Sequence, residues 1–187
     1  IALGNDGTVE IDNLLVNQLY ALYEIDADAG FALNREPYYF YVGDTNSTFD
    51  VPINTKKFDE NNTVLGYENE KAGILVVKKS VAGSITKAEV EGVVEFQVKD
   101  KTTGNLIGTY KLGDANFPYD STTQTWTLTL GNLKAGNYTV EETVSDTTSK
   151  IAQKVEYSTN AGTTWITGKS LDIGVVKETT TNVEFKN

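Results

Sequence analysis

Short apolar stretches rich in Val, Tyr, Phe and Thr recur along the chain at roughly 8–12-residue intervals, with Gly, Asn and Asp between them. That punctuation leaves room for strands and tight turns and for little else, so it predicts an antiparallel sandwich or barrel. No long stretch carries helical periodicity. One short helix is predicted over 86–91, where Thr86 and Glu89 have capping-box spacing. The clearest strands are predicted at 74–79, 93–99, 106–112, 125–130, 138–143, 152–157, 171–176 and 181–186.

What the composition lacks narrows the chemistry. The 187 residues contain no Cys and no His. This removes Ser-His and Cys-His nucleophile pairs, thiol redox centres and the usual N/S zinc sites. No metal or cofactor site is expected. Disulfide stapling is also excluded, although the Thr- and Asn-rich acidic composition suits an extracellular protein, so another source of robustness is needed. A net charge of −10 argues against nucleic acid as a partner. No apolar run reaches membrane-spanning length, which argues against direct membrane insertion.

The sequence also repeats itself. Tyr20-Ala-Leu-Tyr-Glu24 matches Tyr138-Thr-Val-Glu-Glu142, and the ending Leu65-Gly-Tyr-Glu-Asn69 matches Val183-Glu-Phe-Lys-Asn187. Glu24 lies 45 residues before Asn69, and Glu142 lies 45 residues before Asn187. The expectation is two modules, 1–70 and 71–187, of which the second is complete. The first lacks its opening strands, because the counterpart of the strand carrying Lys79 falls upstream of Ile1.

Strand parity then exposes three polar side chains on core-facing positions. Leu75 and Val77 share a face with Lys79, Tyr138 and Val140 with Glu142, and Val183 and Phe185 with Asn187. The first module repeats two of these choices at Glu24, behind Tyr20 and Leu22, and at Asn69, behind Leu65 and Tyr67. Buried polar groups cost several kcal/mol unless paired or neutralised, roughly 2–7 for an uncharged one. Desolvation favours the neutral forms of amines and carboxyls. A neutral Lys79 amine is a nucleophile, and a protonated Glu142 can hydrogen-bond the Asn187 carboxamide oxygen and shuttle protons. Attack on the carboxamide would expel ammonia and leave an amide between Lys79 and Asn187. The same pattern also fits a buried Lys79–Glu142 ion pair bonded to Asn187, or strand ends opening to water.

Other motifs are weaker. Asp26-Ala-Asp28-Ala-Gly30 and Asp44-Thr-Asn46 lack a full calcium-loop ligand pattern and read as solvated turns, as does Lys56-Lys57. The aromatic run Pro37-Tyr-Tyr-Phe-Tyr41 and Trp165 could form a platform for sugar or peptide. The alternating parity of the run assigns most of it to the core instead.

At the three polar positions the chain resembles the collagen-adhesin B-type (Cna B) domains of Gram-positive pilins and surface adhesins. Gly73-Ile-Leu-Val-Val-Lys-Lys79 is similar to the family's first strand, ending in the reactive Lys. Leu133-Lys-Ala-Gly-Asn-Tyr-Thr-Val-Glu-Glu142 is similar to its segment carrying the catalytic acid, and Val183-Glu-Phe-Lys-Asn187 to its last strand. In the first module Tyr20 to Glu24 with Ala29-Gly-Phe31, and Tyr67-Glu-Asn69, resemble the same features. The resemblance implies tandem reverse immunoglobulin-like β-sandwiches and an autocatalytic isopeptide bond between Lys79 and Asn187 under Glu142. Glu24 is the equivalent acid of the first module, without a partner Lys, and Asn69 its possible acceptor. The implied role is structural and not enzymatic, in a wall-anchored pilus or adhesin stalk outside a Gram-positive cell. Implied partners are other pilin subunits or neighbouring domains, a sortase during assembly, and a host matrix protein or glycan. The competing function is a carbohydrate- or matrix-binding module.

Overall fold

A computed structural model describes residues 4, 7–43, 56–58, 69–145, 151 and 154–187. The chain divides into two compact units, Ile1–Asp26 with Asn34–Glu68, and Ala27–Leu33 with Asn69–Asn187.

The first unit holds a three-stranded sheet. Strand β1 (Gln18–Leu22) runs antiparallel to β2 (Tyr38–Val42), with Tyr20 opposite Phe40, and β3 (Lys56–Phe58) lies parallel to β2 on its other side. The Tyr20 and Phe40 rings stack at 5.3 Å, and Phe40 and Tyr41 are buried. Both parities of the aromatic run thus contribute to packing. Lys56 and Lys57, expected in a turn, stand in β3. Among the described residues β1 has β2 as its one neighbour, and Leu15, Val16, Leu19, Tyr23 and Ile25 are exposed.

The second unit is a sandwich. Its elements are β4 (Gly73–Ser80), α1 (Lys87–Val90), β5 (Val94–Asp100), β6 (Leu106–Lys111), β7 (Tyr119–Asp120), β8 (Thr125–Leu133), β9 (Gly136–Val144), β10 (Glu156–Ser158), β11 (Ile166–Thr167), β12 (Ser170–Val175) and β13 (Thr180–Lys186). A six-stranded sheet has the order β11-β10-β13-β4-β8-β7, and a four-stranded sheet the order β12-β9-β5-β6. Alternation drives the packing. Leu75, Val77, Leu128, Val183 and Phe185 of one sheet share a core with Phe96, Val98, Tyr138, Val140 and Leu171 of the other. Phe96 meets Phe185 edge to face across the two sheets at 4.9 Å.

Three features position the polar side chains. Strands β4 and β13 are parallel neighbours, with Lys79 beside Phe185. Strand β9 is flanked on both sides, by β5 with Glu142 opposite Phe96, and by β12 with Val140 opposite Leu171. Gly73 opens β4 where a Cβ would lie 2.5 Å from both Val175 Cγ1 and the Val176 carbonyl oxygen, so only glycine lets this strand lie so close to the end of β12.

The fold is all-β, as the spacing of apolar stretches predicts, with one short helix at the expected place. There Thr86 N and Oγ1 both donate to Glu89 Oε2 at 2.7 Å. The strand expected over 152–157 begins only at Glu156, and its residues 152–153 lie outside the described ones, as do Leu65, Tyr67 and Asp44-Thr-Asn46. Residues 30–32 and 70–72 edge together, with Ala32 N donating to Glu70 O, Ala72 N donating to Gly30 O, and the Lys71 ammonium 4.4 Å from the Phe31 ring centre.

Candidate functional site

Strand β4 alternates strictly between buried and partly buried residues, and its inward set is Gly73, Leu75, Val77 and Lys79. The pleat that buries Leu75 and Val77 therefore carries Lys79 into the same core. Strand β9 does the same with Tyr138, Val140 and Glu142. Lys79 is 0% exposed and Glu142 1%, an uncommon depth for either residue type. Val183 and Phe185 are fully buried on β13, and Asn187 follows them, half-buried, just past its end.

The three side chains meet. Lys79 Nζ donates to Glu142 Oε2 at 2.7 Å and also to Asn187 Oδ1. Asn187 Nδ2 donates to Glu142 Oε1 at 2.7 Å and to the main-chain oxygen of Ile151 at 2.7 Å. The residues lie 63, 108 and 45 positions apart, so the contact is made entirely by the tertiary fold.

Burial dominates the electrostatics of the amine. Removal from water pulls the Lys79 pKa from 10.5 down to about 8, against the opposing pull of the Glu142 charge and hydrogen bond. At pH 7 about one such amine in ten carries a free lone pair. The arrangement therefore offers a nucleophile, a carboxyl touching both nitrogens, and a carboxamide held against both. That is a complete set for transamidation.

The carboxamide faces differently from the sequence expectation, which put its oxygen on Glu142. Its nitrogen contacts the carboxyl, and its oxygen contacts the amine. The Ile151 carbonyl was also missed, because a main-chain acceptor has no side-chain signature. Its only trace in sequence is an apolar residue closing the polar run Ser145-Asp-Thr-Thr-Ser-Lys150.

In the first unit Glu24 is half-buried and accepts the Asn34 N–H at 2.7 Å through Oε2. Asn69 is half-buried at the start of the longer segment of the second unit. Trp165 is partly buried, with the Lys186 ammonium 4.0 Å from its ring centre. Among the described residues no group of three or more His, Cys, Asp or Glu could hold a metal ion, and no helix is long and apolar enough to cross a membrane.

Comparison with known proteins adds a match over part of the chain. Residues 2–57 match the family model of the SpaA prealbumin-like fold domain. The SpaA-type match covers the Tyr20–Glu24 motif and agrees with the Cna B-type resemblance read from the sequence. No curated protein matches the chain. Among solved structures it is similar to the TIE protein of Bacillus anthracis, at 16% identity over 99% of this chain and 28% of that one, with a TM-score of 0.32. It is similar to the minor pilin of Streptococcus agalactiae at 15% identity, 94% and 61% coverage and a TM-score of 0.35. It is also similar to an adhesin of Mobiluncus mulieris, described as containing disulfide, isopeptide and ester bond cross-links, at 17% identity, 93% and 59% coverage and a TM-score of 0.38. The chain thus spans 28% to 61% of the length of these proteins.

Proposed function

We propose that this chain is a structural part of a Gram-positive surface pilus or adhesin stalk, and that its second unit closes through an intramolecular amide between Lys79 and Asn187. The observation that carries the reading is the meeting of a buried amine, a buried carboxyl and a carboxamide within hydrogen-bond reach.

The steps follow from the geometry. Glu142 takes a proton from the Lys79 ammonium, and burial makes that transfer inexpensive. The neutral amine attacks Asn187 Cγ, the Cγ–Nδ2 bond breaks, and ammonia leaves. Glu142 returns that proton to the departing nitrogen and takes the second one from Nζ, so the carboxyl ends with one proton. The residues are consumed in one turnover, so the chain is its own substrate and acts on nothing else. The cross-link supplies the robustness that a cysteine-free extracellular protein cannot obtain from disulfides.

The wider assignment rests on the SpaA-type match and the sequence resemblance. On this reading the chain lies outside the cell, anchored to the wall. Other pilin subunits or neighbouring domains are its partners, sortase assembles it, and a host matrix protein or glycan is a further partner. In the first module Glu24 is the counterpart of Glu142, and Asn69 the counterpart of Asn187.

Intact mass tests the cross-link. The wild-type chain should be lighter than its sequence by one ammonia, and fragmentation should yield a branched peptide joining Lys79 to Asn187. Lys79→Ala and Glu142→Ala should carry the full mass. A wild-type chain at full mass overturns the cross-link.

A further inference from the structure

We infer that the main-chain carbonyl of Ile151 fixes which way the Asn187 carboxamide faces and so delivers its nitrogen, as the leaving group, to Glu142. This rests on the cross-link reading above and assigns a positioning role to a group that reading does not use.

The argument turns on what a carbonyl can accept. Ile151 O has no hydrogen, so an atom 2.7 Å from it in a hydrogen bond must be a donor, and of the two ends of a carboxamide only the nitrogen qualifies. The opposite orientation would press two acceptor oxygens together in a half-buried site. With the nitrogen at Ile151, its second hydrogen points to Glu142 Oε1 and the oxygen is left to the amine. Both amide hydrogens are then held, and the plane of the group is fixed. The carbonyl is itself anchored, because the Ile151 side chain is 4% exposed and belongs to the core of the second unit.

The orientation has a chemical consequence. A planar amide nitrogen is a donor without basic character, so at rest it donates to Oε1. Attack forms the Nζ–Cγ bond, moves the carbonyl π pair to Oδ1 and makes Cγ tetrahedral. The nitrogen lone pair is then free, and the Nδ2–Oε1 hydrogen bond reverses direction. Oε1 gives its proton to Nδ2 while Oε2 takes one from Nζ. Collapse restores the carbonyl and breaks Cγ–Nδ2, which leaves as ammonia with the bonding pair. The carboxyl ends with one proton, as it began, and no other reactant is needed. In the flipped orientation the leaving nitrogen would sit beside the amine and away from the acid.

Two experiments test the inference. In the full chain carrying Lys79→Met, which cannot react, the Asn187 side-chain amide should show two slowly exchanging protons by NMR. One of them should have scalar coupling through its hydrogen bond to the Ile151 carbonyl carbon. Fast exchange without that coupling overturns the proposal. For kinetics, newly synthesised full-length chain is followed by intact mass. Ile151→Gly, which releases the anchor, should slow ammonia loss at least tenfold at every pH without moving the pH midpoint. Leu171→Ala, a core truncation on β12, should leave the rate within about twofold. Equal slowing by both overturns the positioning role. If the wild-type chain itself never loses ammonia, the cross-link fails, while the coupling in Lys79→Met still reports the orientation of the amide.

Discussion

The segments Tyr20–Glu24 and Tyr138–Glu142 carry the same motif into different surroundings. In both, the tyrosine hydroxyl reaches back to an upstream main-chain group. Tyr138 donates to Lys134 O at 2.7 Å, and Tyr20 accepts from Leu15 N at 2.7 Å. The glutamates diverge. Glu142 is buried against Lys79 and Asn187, whereas Glu24 is half-buried and accepts a main-chain N–H from Asn34. The difference lies in the neighbours. Strand β9 is sandwiched between β5 and β12 beneath an opposing sheet, while β1 has β2 alone among the described residues. A short motif can specify the local tyrosine tie, but it takes a full set of strands to turn a glutamate into a desolvated acid.

The largest test of that contrast removes the amine. Lys79→Ala should abolish ammonia loss and destabilise the second unit by at least about 4 kcal/mol in urea titration. That is the loop-closure value for a link about 100 residues long, before any cost of the unpaired Glu142. A loss below about 1 kcal/mol would erase the distinction between the two glutamates.

Acidity comes next. The reactive state, neutral Lys79 beside protonated Glu142, holds the same single proton as the ion pair, so the rate of cross-linking should stay level below about 8 and fall about tenfold per pH unit above it, as that proton is lost. The stability of an uncross-linked Asn187→Ala chain reports the same amine with its own sign. Between pH 8 and 10.5 the unfolded chain binds the extra proton, so stability should rise with pH across that window. Stability falling across it would mean that the folded state binds the proton more tightly than the unfolded chain.

The tyrosines give a smaller effect. Tyr138→Phe should cost about 1 kcal/mol, because it strips a partner from a part-buried hydrogen bond, and Tyr20→Phe about half as much at an exposed one. Equal losses would show that the two ties share one environment. Smallest of all, Glu24→Ala should leave the mass of the chain at wild-type value apart from the substitution and cost about 1 kcal/mol or less, measured by thermal melting.

Much of the second unit was legible because its strands obey one period. Leu75, Val77 and Lys79 share a parity, and a residue on a core parity is buried whether or not it is polar, so the three site residues could be named before their contacts were known. The two-residue strands β7 and β11 were not legible, since two residues carry no periodicity. Lys56-Lys57 reads as solvated by composition yet lies in β3, where pairing with β2 depends on main-chain groups that are the same for every residue. The facing of the Asn187 carboxamide was hidden for a related reason, as it is decided by the carbonyl of Ile151.

The parallel pairing of β4 with β13 carries a mechanical consequence. Tension entering at Gly73 and leaving at Asn187 loads two strands that lie side by side in the same direction, so it strains their hydrogen bonds together in shear and does not unzip them one at a time. With an amide between Lys79 and Asn187, the load would travel along one strand and cross a single side-chain bridge. The hundred-odd residues between them, with the whole sandwich core, would stay slack.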